Sequence, residues 1–272
     1  MVPATDWTEL ETIARAAEAS GGSVGFAIVA PDGKTFARNG DRRYGAASTV
    51  KVALMVELYR QIDRGERALD DHYRLRDDDR AAGSGVLLHV HEGIELTLGD
   101  LIYLMISISD NTATNVLIDL AGMERVNATM RSLGMVGSTL GRKMKGRPAE
   151  ADEAENWATP NDYATIVRAI LDGAAATAES CARMVDMLEK QQNKRRIARY
   201  LPEADGTRWG TKTGSVLGVT NDVGFVITGK VTLIVSVFCE NLPDQHVGEQ
   251  VIGEISRAAM KTTGVVAPLS TS

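Results

Sequence analysis

Strand signal in this chain of 272 residues is confined to its two ends. Near the start, "SVGFAIVA" and "TFARN" read as strands joined by the turn-forming Pro31-Asp32-Gly33-Lys34. Near the end, "RWGTKTGSV" is followed by "TNDVGFVITGKVTLIVSVF", a hairpin turning at Thr228-Gly229-Lys230. From residue 48 to about residue 200 the pattern between them reads almost wholly helical. Thr97 with Asp100, and Thr159 with Pro160 and Asp162, are predicted helix starts. Gly65, Gly122, Gly134 and Gly173 are predicted helix ends. An amphipathic helix carrying Leu10, Ile13, Ala14 and Ala17 precedes the first strand, and a helix from about Val247 to Thr262 follows the last. Strands so far apart in the chain can bury their apolar faces only by sharing one antiparallel sheet, with the terminal helices packed on it. The expectation is an α+β fold. Residues 1–47 and 205–272 form a lobe built on a five-stranded antiparallel sheet, residues 48–204 form an all-helical lobe, and the crevice between them is the default site.

Composition narrows the function classes. The net charge of -6 argues against nucleic acid or an anionic membrane as a partner. The longest apolar runs are too short to span a bilayer. The first twenty residues lack a basic region followed by an apolar one, so the protein as written is expected in the cytoplasm, or in the periplasm or medium should a leader precede it. Cys181 and Cys239 lie in apolar patterns and read as reduced core residues rather than a disulfide. Lys194-Arg195-Arg196 with Arg199 reads as a solvated helix face.

The run "YGAASTVKVALMVELY", residues 44–59, places one lysine, Lys51, near the start of a very apolar helix, three residues after Ser48. Residues three apart on a helix share a face, so the hydroxyl and the amine are neighbours. Burial among Val50, Val52, Leu54 and Met55 disfavours the ammonium and lowers the lysine pKa. A lysine pushed toward neutrality can take the proton of an otherwise inert serine, while the helix start favours developing negative charge. The plain alternative is a capping serine followed by a lysine that snorkels to solvent. Two further stretches bear on the choice. Ser109-Asp110-Asn111 falls at a predicted helix junction, where it could serve only as capping chemistry. Lys212-Thr213-Gly214 falls within a strand, where the glycine implies either a bulge or a close backbone approach.

In the order S-x-x-K, S-D-N, K-T-G, the three motifs are the set shared by class A β-lactamases and penicillin-binding proteins. The chain resembles the class A β-lactamase family of serine hydrolases over nearly its whole length, including "GSGVL" at 83–87, "SDNTATNVLID" at 109–119 and "NDVGFV" at 221–226. The resemblance implies a β-lactamase/transpeptidase-like fold and an acyl-enzyme formed at Ser48. Lys51 would accept the proton and Ser109 would relay it to the leaving nitrogen. The backbone N–H groups of Ser48 and Ser215 would form an oxyanion hole, worth on the order of 10²–10³ in rate per donor. Lys212, Thr213 and Ser215 would hold a substrate carboxylate, and Asn111 a side-chain amide. The implied partner is a small β-lactam, ester or amide bearing a carboxylate. No cofactor or metal is called for, and a monomer is the default state.

The match breaks in the loop at 140–160. The family pattern L-x-R-x-E-x-x-L-N is met by Leu140 and Arg142, but Met144 stands at the position of the deacylation glutamate and Pro148 at the asparagine. A thioether cannot accept a proton from water. Asn156 stands where the family pairs an aspartate with the loop arginine. The acids Glu150, Asp152, Glu153 and Glu155 follow, read as a solvated face from which one could supply the missing carboxylate. An arginine expected near the third motif is absent, with Asn221 near its place. His89 and His91, read as alternate residues of a strand, raise a metal question without a third ligand. Trp157 and Trp209 read as core or cleft wall. The expectation is therefore a hydrolase of the β-lactamase type. The alternatives are a penicillin-binding, sensor-like protein that deacylates slowly because of Met144, and an acyltransferase that passes the acyl group to an amine.

Overall fold

A computed structural model describes residues 6–201 and 206–265. Its elements run α1 (Thr8–Glu18), β1 (Ser23–Val29), β2 (Thr35–Arg38), β3 (Tyr44–Gly45), α2 (Lys51–Asp63), β4 (His72–Arg74), β5 (Glu95–Thr97), α3 (Leu98–Ser107), α4 (Asn111–Ala121), α5 (Met123–Ser132), β6 (Trp157–Ala158), α6 (Pro160–Leu171), α7 (Ala178–Glu189), β7 (Thr207–Val216), β8 (Val219–Thr228), β9 (Val231–Glu240) and α8 (Gln245–Thr263). The strands of the two ends form one five-stranded sheet in the order β2-β1-β9-β8-β7, antiparallel throughout. Strand β1 meets β9 in the register Val24↔Cys239 to Val29↔Ile234, closing the chain's two ends on each other. The boundary expected between residues 204 and 205 lies outside the described residues.

Both faces of the sheet are covered, so its central strands read as continuous apolar runs rather than alternating ones. Successive side chains point to opposite faces. From β1 and β9, Phe26, Ile28, Val235 and Val237 pack with Leu10 of α1 and Ile252 and Ile255 of α8. Ala27, Val29, Ile234 and Phe238 face the other way, in a cluster with Leu54, Met105 and Leu117 from α2, α3 and α4. The caps fall where the sequence puts them. Thr97 and Asp100 form a reciprocal capping box, and Thr159 Oγ1 accepts from the Asp162 N–H at 3.2 Å.

The middle of the chain is less helical than its pattern suggests. Residues 64–97 hold only β4, β5 and a 3-10 turn, and residues 133–159 run as a loop until β6. His89 lies in a turn and His91 in irregular backbone just after it, so the strand that would align them does not form. The cause is anchoring by side chains of the helices. Asp110 accepts from the N–H groups of Val86 and Leu87 at 2.6 and 2.9 Å, and Asn115 brackets the backbone of Met144. Gly85 lies against Asp110 with φ +115°, and a Cβ there would come within 2.2 Å of the carboxylate. Only glycine fits that contact.

Candidate active site

Ser48 sits in a 3-10 turn, Ala47–Val50, that leads directly into α2. Ala47 before it, at φ 45°, and Ser109, at φ 61°, both occupy the left-handed region without being glycine. Such backbone persists only where its surroundings fix it, and here it sits at both candidate serines. Strand β7 runs against the turn. A Cβ on Gly214 would stand 2.9 Å from Ala46 O and 3.2 Å from Ser48 N, so the strand glycine answers a close backbone approach. Asn221 on β8 ties the same turn, donating to Gly45 O at 2.8 Å and Ala46 O at 3.2 Å.

Lys51 is fully buried and does not snorkel. Its Nζ lies 2.8 Å from Ser109 O, 2.9 Å from Ser109 Oγ and 2.9 Å from Asn111 Oδ1, rather than on Ser48. Burial pushes its pKa well below the ordinary lysine value, and Lys212 adds to the effect against the opposing Asp110. Lys212, also fully buried, reaches across from β7 to donate to Ser109 Oγ at 3.1 Å and Thr213 O at 2.9 Å. Its pKa is pushed down to about 7 by burial, with Asp222 opposing and Arg196 reinforcing the shift. Asp222, itself raised to about 6 by burial, accepts from the N–H of Ile197 at 3.1 Å. Ser109 Oγ thus bridges two lysine nitrogens. Asn111 is used inward as well as toward the cleft: Nδ2 donates to Ala82 O at 2.8 Å while Oδ1 meets Lys51.

The arginine missing near the third motif is present, supplied by a stretch read as solvated. Arg196 is buried, not on a helix face, in the segment that precedes the 3-10 turn Ile197–Tyr200. It donates to Gly214 O at 2.9 Å and Asn221 O at 2.6 Å, bonds Ser215 Oγ, and pairs with Glu249 of α8 at 3.4 Å. Carbonyls at one end of β7 and β8 and one buried carboxylate offset part of the cost of desolvating the guanidinium, and burial still pulls its pKa below the ordinary arginine value. A run of three basic residues gives no sign of which one points inward. The only hint was the vacancy that Asn221 left in the pattern.

Two chambers open on either side of Ser48 and share only Ser48, Ser84 and Ser215. The larger, about 630 Å³, holds Ser109, Thr213, Arg196 and the segment 191–195. The smaller, about 100 Å³, is bounded by the loop at 141–156 and holds Asn111, Met144 and Glu155. Met144 is buried at the expected position, held by Asn115, whose Nδ2 donates to Met144 O at 2.9 Å and whose Oδ1 accepts from its N–H at 2.8 Å. Sequence reading passed over Asn115 because its asparagine reads as ordinary helix content. The ion pair expected at Asn156 is made one residue earlier, by Arg142 with Glu155 at 3.1 Å, while Asn156 Oδ1 accepts from the N–H groups of Gly141 and Arg142. The acidic run is not simply solvated either. Glu153 bonds Lys145 and Arg147, and Glu155 takes four donors from Arg142, Ala149 and Asn156. Among the described residues no group of three His, Cys, Asp or Glu side chains could hold a metal, and Cys181 and Cys239 are free and buried. Trp157 pairs with Gly45 in the β3–β6 ladder, and the Trp209 ring lies 5.9 Å below Lys194 Nζ.

The model of the β-lactamase enzyme family matches residues 8–263. The chain belongs to this family. A solved β-lactamase from Sphaerobacter thermophilus is 62% identical, with a TM-score of 0.95, over 97% of this chain and all of that one. The β-lactamase OXY-2 of Klebsiella oxytoca is 28% identical over 215 residues, 76% of this chain and 72% of its own. The fold is also that of PBP-A, at 23% identity and a TM-score of 0.85 over 96% of this chain and 97% of the other. Family membership makes the protein a serine hydrolase of the class A β-lactamase type, with a small β-lactam as substrate.

Proposed function

We propose that Ser48 opens β-lactams bearing a ring carboxylate, or related esters and amides, by acyl transfer followed by slow hydrolysis. The observation that carries this reading is the bridge at Ser109, with its Oγ 2.9 Å from Lys51 Nζ and 3.1 Å from Lys212 Nζ. Ser48 Oγ attacks the lactam carbonyl carbon as its proton passes to the neutral amine of Lys51. The oxyanion is received by the N–H groups of Ser48 and Ser215 at the junction of the chambers. As the C–N bond breaks, Ser109 gives its proton to the leaving nitrogen and is reprotonated by Lys51. Lys212, Thr213 and Ser215, with Arg196 behind them, hold the carboxylate, and Asn111 turns its amide toward the acyl side chain. The chemistry needs one chain only, and a monomer is the working state.

Ser109 and Arg196 line only the larger chamber, which therefore takes the leaving-amine half. Met144 lines only the smaller, which takes the water that releases the acyl group. With a thioether there, and Glu155 saturated by donors, water is poorly activated, and deacylation limits turnover. Intact-mass spectrometry after brief exposure to benzylpenicillin tests this. An adduct on Ser48 that decays over minutes is expected, with none formed in Ser48→Ala or, on that timescale, in Lys51→Ala. Absence of both adduct and turnover across β-lactams and simple esters overturns it.

A further inference from the structure

The larger chamber runs against the sign of the molecule as a whole. The chain as a whole carries -6, yet the lining of this chamber contains Lys194, Arg195 and Arg196 and no carboxylate. Arg196 is committed to Ser215, Gly214 and Asn221, and Lys212 to Ser109 and Thr213. Lys194 and Arg195 are not committed in this way. Lys194 is exposed over the Trp209 ring, and Arg195, with 70% of its side chain exposed, makes only a long 3.7 Å contact to Glu249. That carboxylate is already shared with Arg196 at 3.4 Å and Gln245 at 3.1 Å. The volume, about 630 Å³, exceeds what one ring carboxylate and its ring would fill, and the rest of the wall is almost wholly amide and hydroxyl side chains, among them Gln191, Gln192, Asn193 and Gln245. A large chamber with two exposed cations beyond the residues that hold the ring carboxylate, no acid in its lining, and only a long contact from Arg195 to the shared Glu249, concentrates anions.

We infer that Lys194 and Arg195 form a second anion subsite on the leaving-amine side, so that the enzyme favours β-lactams that carry an acidic substituent on the fused ring in addition to the ring carboxylate. This rests on the assignment of the larger chamber to the leaving half. Selectivity would come from two solvent-exposed charge pairs, which together give about three- to tenfold at low ionic strength and less at high salt. Neither cation touches the reacting atoms, so the effect lies in capture of the substrate rather than in the chemical step.

The test uses two cephalosporins that share one acyl side chain, one with a neutral and one with a carboxylate-bearing substituent at the ring carbon remote from the lactam. The rate of Ser48 adduct formation at limiting substrate is measured for each. The ratio of the anionic to the neutral rate is expected to be three- to tenfold in 20 mM salt and to shrink toward one in 0.5 M sodium chloride. In K194A/R195A it should fall to about one at either salt, and in K194E/R195E below one. Reading a ratio within each variant cancels any general loss of fold or rate. A wild-type ratio near one, or a ratio that survives both double substitutions, overturns the second subsite while leaving acylation at Ser48 intact. If neither cephalosporin labels Ser48, the subsite falls together with the acylation reading.

Discussion

On the Arg196 side of Ser48 the cleft is roomy, cationic and supplied with a bridging hydroxyl. On the Met144 side it is cramped, closed by a loop in which Glu153 and Glu155 are spent on that loop's own bases. Both chambers meet the same serine, but the first holds the hydroxyl of Ser109 between two lysine nitrogens with Arg196 beside it, whereas the second presents the thioether of Met144, which cannot accept a proton from water. On the function proposed above, the difference teaches that acylation and deacylation are separable: the first would draw on motifs spread over α2, the α3–α4 junction and β7, the second on one side chain in a loop.

The sharpest way to break this contrast is Met144→Glu. A carboxylate in the smaller chamber should speed release of the acyl group from Ser48 by about 10²–10³-fold, the range expected of a general base, with little change in adduct formation. The decay of the adduct measured by mass spectrometry checks it; an unchanged decay would show that the smaller chamber is not where water attacks. Next in size is Arg196→Ala. It removes the guanidinium behind Ser215 and should raise KM for carboxylate-bearing β-lactams by about ten- to a hundredfold, more than it lowers kcat. Because it also leaves the buried Glu249 with only Gln245 and a long contact to Arg195, stability should fall by about 1–3 kcal/mol, measurable by urea unfolding. An equal loss on a substrate without the carboxylate would move Arg196 out of the binding role.

The smallest effect is on pH dependence. In the mechanism proposed above Lys51 works as the neutral amine, so kcat/KM should fall on the acid side as its depressed pKa is crossed. Lys212 works as the cation, and its pKa of about 7 means kcat/KM should also fall as pH rises beyond neutrality, by about fivefold from pH 7 to pH 8. In Lys212→Arg the alkaline limb should vanish, since a guanidinium keeps its charge, while the acid limb stays. An alkaline limb that persists would assign it to another group.

Much of this was legible in the residues. The strand runs at the two ends, the capping threonines and the glycines at helix ends report local backbone preference, and local preference survives folding. Lys51 was legible too, because a single amine in so apolar a run has few harmless explanations. What failed to show were features whose cause lies far along the chain. Arg196 is buried by carbonyls of Gly214 and Asn221 and by Glu249, none of which neighbours it in sequence. The long non-helical stretches at 64–97 and 133–159 are held by Asp110 and Asn115 from elsewhere, and their helical pattern is overruled by those anchors.

The order of residues alone determined the strands and helices of the two ends, the capped helix starts between them and the three motifs, because each rests on spacing within a single turn or strand. Tertiary structure alone decided which cation faces the cleft, that Ser109 stands between two lysines, and that Glu153 and Glu155 of the loop are tied to its own bases. Those outcomes turn on where desolvated charges find partners, and a partner for a buried charge is fixed by distance in space rather than along the chain.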